Sequence, residues 1–304
     1  MKSVFAATCL LLLLAGFALG APTGLHSLLI DPGVVASGMG HAYTAVADDP
    51  SALYWNPAGL TRGALGYDLL LSHTEWFVDH RMEYAAVTRN RGGDAFGASI
   101  SGFYVGGIER REDFPTSEPF GDFGSYDLVV SVAYARVFGP ARAGLTAKPF
   151  YSKIDRESAH GVAFDLGAQL DTPLEGLVLG GAVANIGNKP SYIEEEFSLP
   201  VDLRGGAAYR FSFDSGALPG EVLLSGEVRK SRDEETRTHV GADLRVKETA
   251  SIRFGYKWGY ELEDYSFGIG VTRGNFSAQY ALVPFQSDFG TVHRFGIVLH
   301  RDKI

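Results

Sequence analysis

Apolar and polar residues alternate strictly in many short segments of the chain. In residues 265–272 every second position is apolar, and the positions between them hold serine, glycine or threonine. Residues 252–258 and 240–246 repeat the pattern, with glycine and charged residues on the polar side. Successive side chains of a β-strand point to opposite faces, so each segment would have one apolar and one polar face. The pattern therefore predicts amphipathic strands.

About fourteen such segments follow one another along the chain, separated by turn signals. They begin near Asp68, Met82, Ala95, Tyr126, Ala141, Gly161, Leu177, Val201, Glu221, His239, Ala250, Asp264, Phe276 and Thr291. An even number of strands is typical of bacterial single-chain barrels. We therefore predict an all-β fold, a transmembrane antiparallel β-barrel of about 14 strands formed by residues 67–304.

The connections between the segments alternate in length. The tight turns are at 139–140, 247–249 and 273–275, and the longer connections are at 105–125, 187–200 and 284–290. If both termini are periplasmic, the longer connections all face outward, as in outer-membrane barrels.

A soluble β-sandwich would also alternate, and the placement of aromatic residues distinguishes the two folds. Aromatic pairs lie at the ends of the apolar faces: Tyr126 and Tyr134, Tyr209 and Phe211, and Tyr256 and Trp258. Membrane barrels carry aromatic girdles at these positions. The opposite faces are rich in charge, which suits a lumen better than a sandwich core, so the membrane barrel is favoured.

The N-terminus carries a secretory leader. Lys2 precedes an apolar run over residues 4–19, and the small-x-small motif ALG at 18–20 is a cleavage site. We predict a signal peptide over residues 1–20, which contains Cys9, the only cysteine. The exported chain is therefore expected to lack disulfides. Its net charge of -9 argues against a nucleic-acid partner.

Residues 36–60 read ASGMGHAYTAVADDPSALYWNPAGL and differ from the alternating strands. Their small residues allow the backbone to pack closely against its surroundings. Asp49 before Pro50 predicts a helix N-cap, and the NPAG sequence at 56–59 predicts the end of that helix. The motif positions singled out here are Gly38, Gly40, Asp48, Asp49, Asn56, Pro57 and Gly59.

This segment resembles the N-terminal hatch of the FadL and PorV group of outer-membrane barrels, which combines a GMG start, an A-x-A-D-D core and a closing NPAGL. Later stretches resemble the PorV and PorQ branch: NIG at 185–187, LPVDLRGG at 199–206, RFGYK at 253–257, QYALVP at 279–284 and FGTVHR at 289–294. Gln279 replaces an acid of that branch and Val292 is an insertion. The resemblance implies a hatch or plug over residues 21–66 and a location in the bacterial outer membrane.

Asp48 and Asp49 could form an acid–base pair or a cation site. The structural alternative makes Asp49 a helix cap and Asp48 an acceptor for a hydrogen bond from the wall. We favour the structural alternative because no histidine or further acid lies at a matching spacing. The eight histidines are scattered and there is no G-x-S-x-G elbow, so we predict no catalytic residue, metal or cofactor.

Charged residues on the polar faces are assigned to the lumen, because a charge facing lipid near the midplane would cost roughly 2–4 kcal/mol. They are Asp127, Lys148, Asp165, Arg204, Arg210, Glu227, Arg229, Asp243, Arg245, Arg253, Lys257 and Arg294. They could line a polar pathway, or they could pair across the barrel and hold the hatch. The interspersed signs favour the second alternative.

Three functions fit this sequence. The PorV resemblance implies export of proteins with a type IX-like secretion system, in which the loops at 105–125 and 187–200 would contact secretion components or cargo. Aromatic candidates for such contacts, or for packing within the loops, are Phe114, Phe120, Phe123, Tyr192 and Phe197.

The FadL resemblance implies passive uptake of small hydrophobic molecules, although the predicted lumen has few large apolar residues besides Phe103, Phe150 and Leu223. The third alternative is a sealed structural protein of the outer membrane. We rank export narrowly first, with outer-membrane lipid as the surrounding partner.

Overall fold

The protein is a closed barrel of fourteen antiparallel strands in which each strand pairs with its neighbours in the chain and β1 pairs with β14. The computed structural model describes residues 23–76, 80–111, 118–214, 216, 218–286 and 289–301. The predicted leader at 1–20 lies outside these residues. The strands are β1 (Gly66–Glu75), β2 (Arg81–Asn90), β3 (Asp94–Arg110), β4 (Gly121–Phe138), β5 (Ala141–Ile154), β6 (Glu157–Asp171), β7 (Leu177–Gly187), β8 (Asp202–Phe213), β9 (Gly220–Ser231), β10 (Arg237–Val246), β11 (Ala250–Trp258), β12 (Tyr265–Arg273), β13 (Phe276–Pro284) and β14 (Thr291–Arg301).

This architecture confirms the predicted fold. Every strand begins within five residues of its predicted start, and the largest difference is at β4, which begins at Gly121 rather than near Tyr126. We call the end of the barrel that holds Gly66 and Arg301 the near end, and the opposite end the far end. The tight turns at 139–140 and 247–249 lie at the near end, and the long connection at 188–201 lies at the far end.

The connection predicted over 105–125 is wrong in its extent, because the β3–β4 hairpin continues through most of it. After a bulge between Val105 and Ile108, the pairing resumes and reaches Arg110 opposite Gly121. The two glycines at the bulge read as a loop signal in the sequence. In the structure they allow an irregular strand instead, and Gly107 has a φ of +66°.

The two faces of the wall differ as a membrane barrel requires. Along β1, buried and exposed residues alternate from Gly66 to Leu71. The outer face exposes large apolar side chains on every strand, including Leu69, Val87, Ile100 and Ile252. Such a continuous apolar exterior is stable in lipid and would be costly in water.

Aromatic side chains are exposed on the outer face near both ends of the barrel. Near-end examples are Tyr67, Phe96, Tyr134 and Phe211, and far-end examples are Tyr104, Tyr126, Trp258 and Tyr265. These two groups have the arrangement of interfacial aromatic belts, where a ring meets the hydrocarbon and the hydroxyl or N–H meets water. None of the described helices is long and apolar enough to cross a membrane.

Residues 23–65 form a plug that runs through the lumen from the far end to the near end. At the far end Thr23 forms a bridge with Ser198, and at the near end the Asn90 side chain donates to the carbonyls of Thr61 and Gly63. The plug contains two short helices, α1 (Val34–Gly38) and α2 (Ala52–Trp55), and 3-10 turns at His26–Leu29 and Pro57–Thr61. Its apolar residues form the main core with inward side chains of the wall, for example Trp55 with Tyr84.

The predicted start of the plug helix needs correction. Helix α2 begins at Ala52, with Ser51 at the N-cap position and no side-chain cap. Asp49 instead accepts hydrogen bonds from the backbone nitrogen and hydroxyl of Ser51, at 2.7 and 2.5 Å, and so holds the turn before the helix. The helix ends at Trp55, and its C-cap Asn56 is the first residue of the NPAG sequence that predicted this end.

Inward-facing glycines of the wall let the plug backbone approach closely. A Cβ atom on Gly255 would overlap the Gly40 nitrogen, and one on Gly144 would overlap the backbone of Pro57 and Ala58. On β7, a Cβ atom on Gly180 would lie 2.6 Å from the Cα atom of Ala45. Glycine is required at these positions because backbone meets backbone.

We expect Gly255→Ala to destabilise the barrel, because the new methyl group forces the plug backbone to move. Overpacking of this kind costs about 1–3 kcal/mol. Urea unfolding of the purified barrel, followed by tryptophan fluorescence, measures the change. Gly205→Ala is the matched control, since Gly205 faces outward and a Cβ atom there meets nothing within 4 Å. Equal stability of the two variants would contradict the close contact at Gly255.

Candidate functional site

Asn56 connects two parts of the plug to the barrel wall. Its side-chain nitrogen donates to the carbonyls of Thr44 and Ala168, at 2.9 and 3.0 Å, and its side-chain oxygen accepts from the Ala58 nitrogen at 3.2 Å. Asn56 is fully buried. The side-chain nitrogen and oxygen of Asn56 are thereby both used, and all three partners are backbone groups.

Arg204 of β8 binds the C-terminal end of helix α2. Its Nη1 donates to the carbonyls of Tyr54 and Trp55 at 3.1 and 3.3 Å, and its guanidinium lies 4.7 and 4.9 Å from the centres of their rings. A cation at this end of a helix is favourable, because the last carbonyl groups have no partner within the helix.

Asp202 holds this arginine and a second one. Its carboxylate lies 2.6 Å from Nε of Arg204 and 2.9 Å from Nε of Arg229, and it accepts from Ser231 at 2.8 Å. Arg229 in turn donates to the Leu29 carbonyl of the plug at 3.4 Å. The group is buried, so its charges are kept by pairing and not by water.

Residues 40–44 of the plug are held by β9, β10 and β12. Glu227 accepts from the backbone nitrogens of Tyr43 and Thr44 at 3.0 and 2.7 Å. The hydroxyl of Ser266 accepts from the Gly40 nitrogen at 2.9 Å, and a ring nitrogen of His239 lies 2.8 Å from the Gly40 carbonyl. The wall thus binds both polar groups of one glycine.

Asp31 is a buried acid in the part of the plug that lies near the far end of the barrel. Its carboxylate lies 3.1 Å from His41 and 3.3 Å from Arg294, and it accepts from Ser37 at 2.9 Å. Arg294 also donates to the Asp31 carbonyl. Burial alone would raise the pKa of Asp31, but Arg294 and His41 outweigh it and hold the pKa well below its usual range.

Among the twelve charged residues predicted for the lumen, nine are buried and three are half-buried. The buried ones are Lys148, Asp165, Arg204, Glu227, Arg229, Asp243, Arg253, Lys257 and Arg294, and the half-buried ones are Asp127, Arg210 and Arg245. Arg204, Glu227, Arg229 and Arg294 bind plug backbone directly.

Other members of this set bind within the wall. Lys148 lies 2.6 Å from Asp165, and Asp243 lies 3.3 Å from Arg253. Lys257 lies 2.5 Å from Glu263, which belongs to the β11–β12 connection.

Two of the half-buried lumen charges, Asp127 and Arg245, have partners on neighbouring positions of the wall. Asp127 accepts from Ser152, and Arg245 lies 3.6 Å from Asp243.

Asp48 and Asp49 face the near end of the lumen. Asp48 lies 3.5 Å from Arg210 of β8, and the Tyr43 hydroxyl donates to Asp49 at 3.1 Å. Burial raises the pKa of Asp49 to about 6; the hydrogen bonds from Ser51 oppose this shift and the Asp48 charge adds to it. Within the described residues, no three histidine, cysteine or acidic side chains are arranged to hold a metal ion.

The remaining motif positions are contact points of the plug. A Cβ atom on Gly38 would lie 3.0 Å from the Cα atom of Gly268 on β12, and one on Gly59 would overlap the Ala47 carbonyl. Pro57 is the first residue of the 3-10 turn at Pro57–Thr61 and is buried.

The loop aromatics are divided between packing and exposure. Tyr192 stacks on Phe197 at 5.5 Å, and Phe197 packs with Leu25 and Leu28 of the plug. Phe120 is exposed and Phe123 lies on β4, while Phe114 lies outside the described residues.

Two of the cavities beside the plug lie at the two ends of the lumen. The near-end vestibule has a volume of about 1020 Å³ and is lined by both acidic and basic side chains, including Asp49, Glu221 and Arg245. The far-mouth cavity has a volume of about 120 Å³ and lies between the plug and the far ends of β9 to β14, with Trp76 and Phe285 in its lining.

Sequence reasoning missed several residues of this site. Asp202, Gln169 and His239 occupy inward strand positions, so the same parity rule could have found them. The inward glycines were visible as members of the polar faces, but nothing in the alternation separates a glycine that receives the plug from one that does not. Asp31 lies in a segment without any periodic signal.

The family model described as "Uncharacterised protein family (UPF0164)" matches residues 19–166. No curated protein matches the chain.

Solved structures share the fold over most of the chain. The toluene transporter TbuX of Ralstonia pickettii is 16% identical with a TM-score of 0.57, over 88% of this chain and 96% of TbuX. The CymD monoaromatic hydrocarbon channel is 12% identical with a TM-score of 0.61, over 90% and 99%. The toluene transporter TodX of P. putida is 10% identical with a TM-score of 0.58, over 90% and 99%. At these identities the likeness establishes the barrel fold.

We expect Asn56→Ala to lower the free energy of unfolding by about 1–3 kcal/mol, because it removes the acceptor of the buried Ala58 nitrogen and the hydrogen bond that joins the plug to β6. Urea unfolding in detergent measures this loss. Asn275→Ala, in an exposed turn at the near end, is the matched control. If the two variants are equally stable, Asn56 does not hold the plug.

The raised pKa of Asp49 gives a pH dependence with a definite sign. Its folded pKa of about 6 exceeds the ordinary value of 3.8, so its contribution to stability is fully present below about pH 4 and is lost as the pH rises through 6. Asp49→Asn keeps an acceptor for Ser51 and removes the charge. We expect this variant to be about 1–2 kcal/mol more stable than the parent at pH 7.5 and equal to it at pH 4.

Urea unfolding at the two pH values measures the difference, with Asp122→Asn on an exposed part of β4 as the control. A gain that is the same at both pH values would show that Asp49 titrates normally.

Proposed function

We propose that this chain is an outer-membrane barrel through which small hydrophobic molecules cross passively while the plug stays in place. The observation that carries the proposal is the barrel fold that this chain shares with the toluene transporters TbuX and TodX and with the monoaromatic hydrocarbon channel CymD. The alignments cover nearly the whole length of those channels and about nine-tenths of this chain.

The attachment of the plug supports passage around it. Wall side chains bond to the plug backbone along the whole length of the lumen. Arg229 donates to the Leu29 carbonyl towards the far end, and Asn90 donates to the Thr61 carbonyl at the near end. Removing the whole plug would break all of these bonds and leave buried polar groups unpaired, each at about 1–3 kcal/mol. Local movement beside a seated plug is far less costly.

The size of the far-mouth cavity supports a small substrate. Its volume of about 120 Å³ is comparable with the roughly 150 Å³ of an engineered protein cavity that binds benzene. The fold shared with TbuX, CymD and TodX supports uptake over the export role that the sequence ranked first.

The proposal is tested in liposomes that contain the purified barrel. We expect labelled toluene to enter these liposomes faster than it enters empty liposomes. We also expect it to enter them faster than labelled sucrose does. Equal entry of toluene with and without the barrel would favour a sealed structural protein and overturn the proposal.

A disulfide between the plug and the wall tests whether the plug stays in the lumen during uptake. A Cβ atom on Gly296 of β14 would lie 3.5 Å from the Cβ atom of Val34, a separation that suits a disulfide. We expect the double variant Val34→Cys, Gly296→Cys to take up toluene equally well when oxidised and when reduced. A loss of uptake on oxidation, restored by reductant, would show that the plug must leave.

A further inference from the structure

The charged side chains of the lumen are concentrated on one side of the barrel. Of the twelve charged residues predicted for the lumen, all except Asp127 lie on β5 to β14. On β1 to β4, as far as the bulge of β3, the described inward positions carry charge at Asp68, close to the near end, and at Asp127, towards the far end. Between these two acids the inward side chains are small, apolar, hydroxyl or amide groups. A neutral hydrocarbon passes such groups at a lower cost than paired charges, which it would separate from their polar surroundings.

The plug also touches the two sides of the barrel in different ways. On β5, β10 and β11 backbone meets backbone, so that a Cβ atom on Gly144, Gly241 or Gly255 would overlap the plug main chain. On β3, a Cβ atom on Gly97 would meet the side chain of Leu53 instead. A side chain can change its rotamer while the backbone stays in place. The side formed by β1 to β4 can therefore open without movement of the plug.

A further cavity, which we call the middle cavity, lies on this side of the lumen between the plug and β2 to β5. Its volume is about 30 Å³, and Ile30 of the plug lies in the lining of both this cavity and the far-mouth cavity. Lys148 is the charged residue in its lining and is paired with Asp165 at 2.6 Å. The wall otherwise contributes Met82, Tyr84, Ser99, Ser101, Val129 and Ser131.

Tyr84 separates the middle cavity from the near-end vestibule. Its side chain lines the middle cavity, and its hydroxyl donates at 3.4 Å to the carbonyl of Pro50, which lines the vestibule. A hydrogen bond of this length is weak. Tyr84 is 5% exposed, and its ring packs in the core between plug and wall. Rotation of this one side chain would join the two cavities.

We infer that small hydrophobic molecules pass the plug on the side of β1 to β4. They move from the far-mouth cavity past Ile30 into the middle cavity, and then past Tyr84 into the near-end vestibule. The middle cavity is smaller than the roughly 150 Å³ of a protein cavity that binds benzene, so it is a constriction that widens during passage. Tyr84 sets the width of this constriction. The inference rests on the proposed function, since it assigns the route of the molecules that the barrel admits.

A cysteine in the middle cavity tests the route. Ser131→Cys places a thiol in its lining, and benzyl methanethiosulfonate carries a ring of the size of toluene. The thiolate displaces methanesulfinate from this reagent and forms a mixed disulfide, which a reductant cleaves. Ser225→Cys is the matched control, because Ser225 faces inward on β9 and is 7% exposed, as Ser131 is.

We expect Ser131→Cys to be labelled about tenfold faster than Ser225→Cys in liposomes, because access controls the rate. Mass spectrometry measures the labelling. Toluene uptake through the labelled Ser131→Cys barrel should fall about fivefold, which is a barrier increase of about 1 kcal/mol, and should recover with reductant. Equal labelling of the two variants, no labelling of Ser131→Cys, or uptake that ignores the label would overturn the inference.

Truncation of Tyr84 tests its role in the opposite direction. We expect Tyr84→Ala to raise toluene uptake about fivefold and to raise naphthalene uptake by a larger factor, because it widens the constriction. Leu223→Ala, which truncates another buried inward side chain on β9, is the matched control. Tyr84→Leu shortens the side chain with less loss of packing and serves if the alanine variant does not fold. Unchanged uptake in the folded variant, or an equal rise with Leu223→Ala, would overturn the assignment of Tyr84.

Uptake by the parent barrel separates this inference from the proposed function. Failure of the parent to take up toluene would overturn the proposed function, whatever the labelling rates. Parent uptake that persists in fully labelled Ser131→Cys would overturn only the route.

Discussion

The structure depends on one constraint: a polypeptide that passes through the lumen of a membrane barrel must have its backbone polar groups satisfied by the wall. Part of the plug backbone pairs within its short helices and turns, and other N–H and C=O groups of the plug have their partners on the wall. Glu227, Arg204 and Asn90 supply partners from three different strands. The alternation of the strands makes this possible, because it sends one side chain in two towards the plug.

The same constraint explains why the lumen is charged but not open. Arg204 and Arg229 both pair with Asp202, and each also donates to a plug carbonyl. The charges that line the far mouth are paired in the same way, Arg294 with Asp31 and Arg237 with Glu234.

The barrel could be predicted from the sequence because a strand with lipid on one side and lumen on the other leaves a period of two in every segment. The prediction failed where glycine interrupts that period without ending the strand, as at Gly106 and Gly107 of β3. Contacts in the site were only partly predictable. Parity identifies Glu227 as inward-facing, but its partners at Tyr43 and Thr44 depend on how the plug is threaded, which leaves no periodic trace.

The path of the plug has a consequence for assembly. Its first described residue, Thr23, lies at the far end, and the chain reaches β1 only after crossing the lumen. The plug is synthesised before any strand, whereas many of its partners lie on β8 to β14 and are synthesised last. We expect the β1–β14 seam to close around the plug, because this order places the plug against β8 to β14 without threading it through a finished barrel.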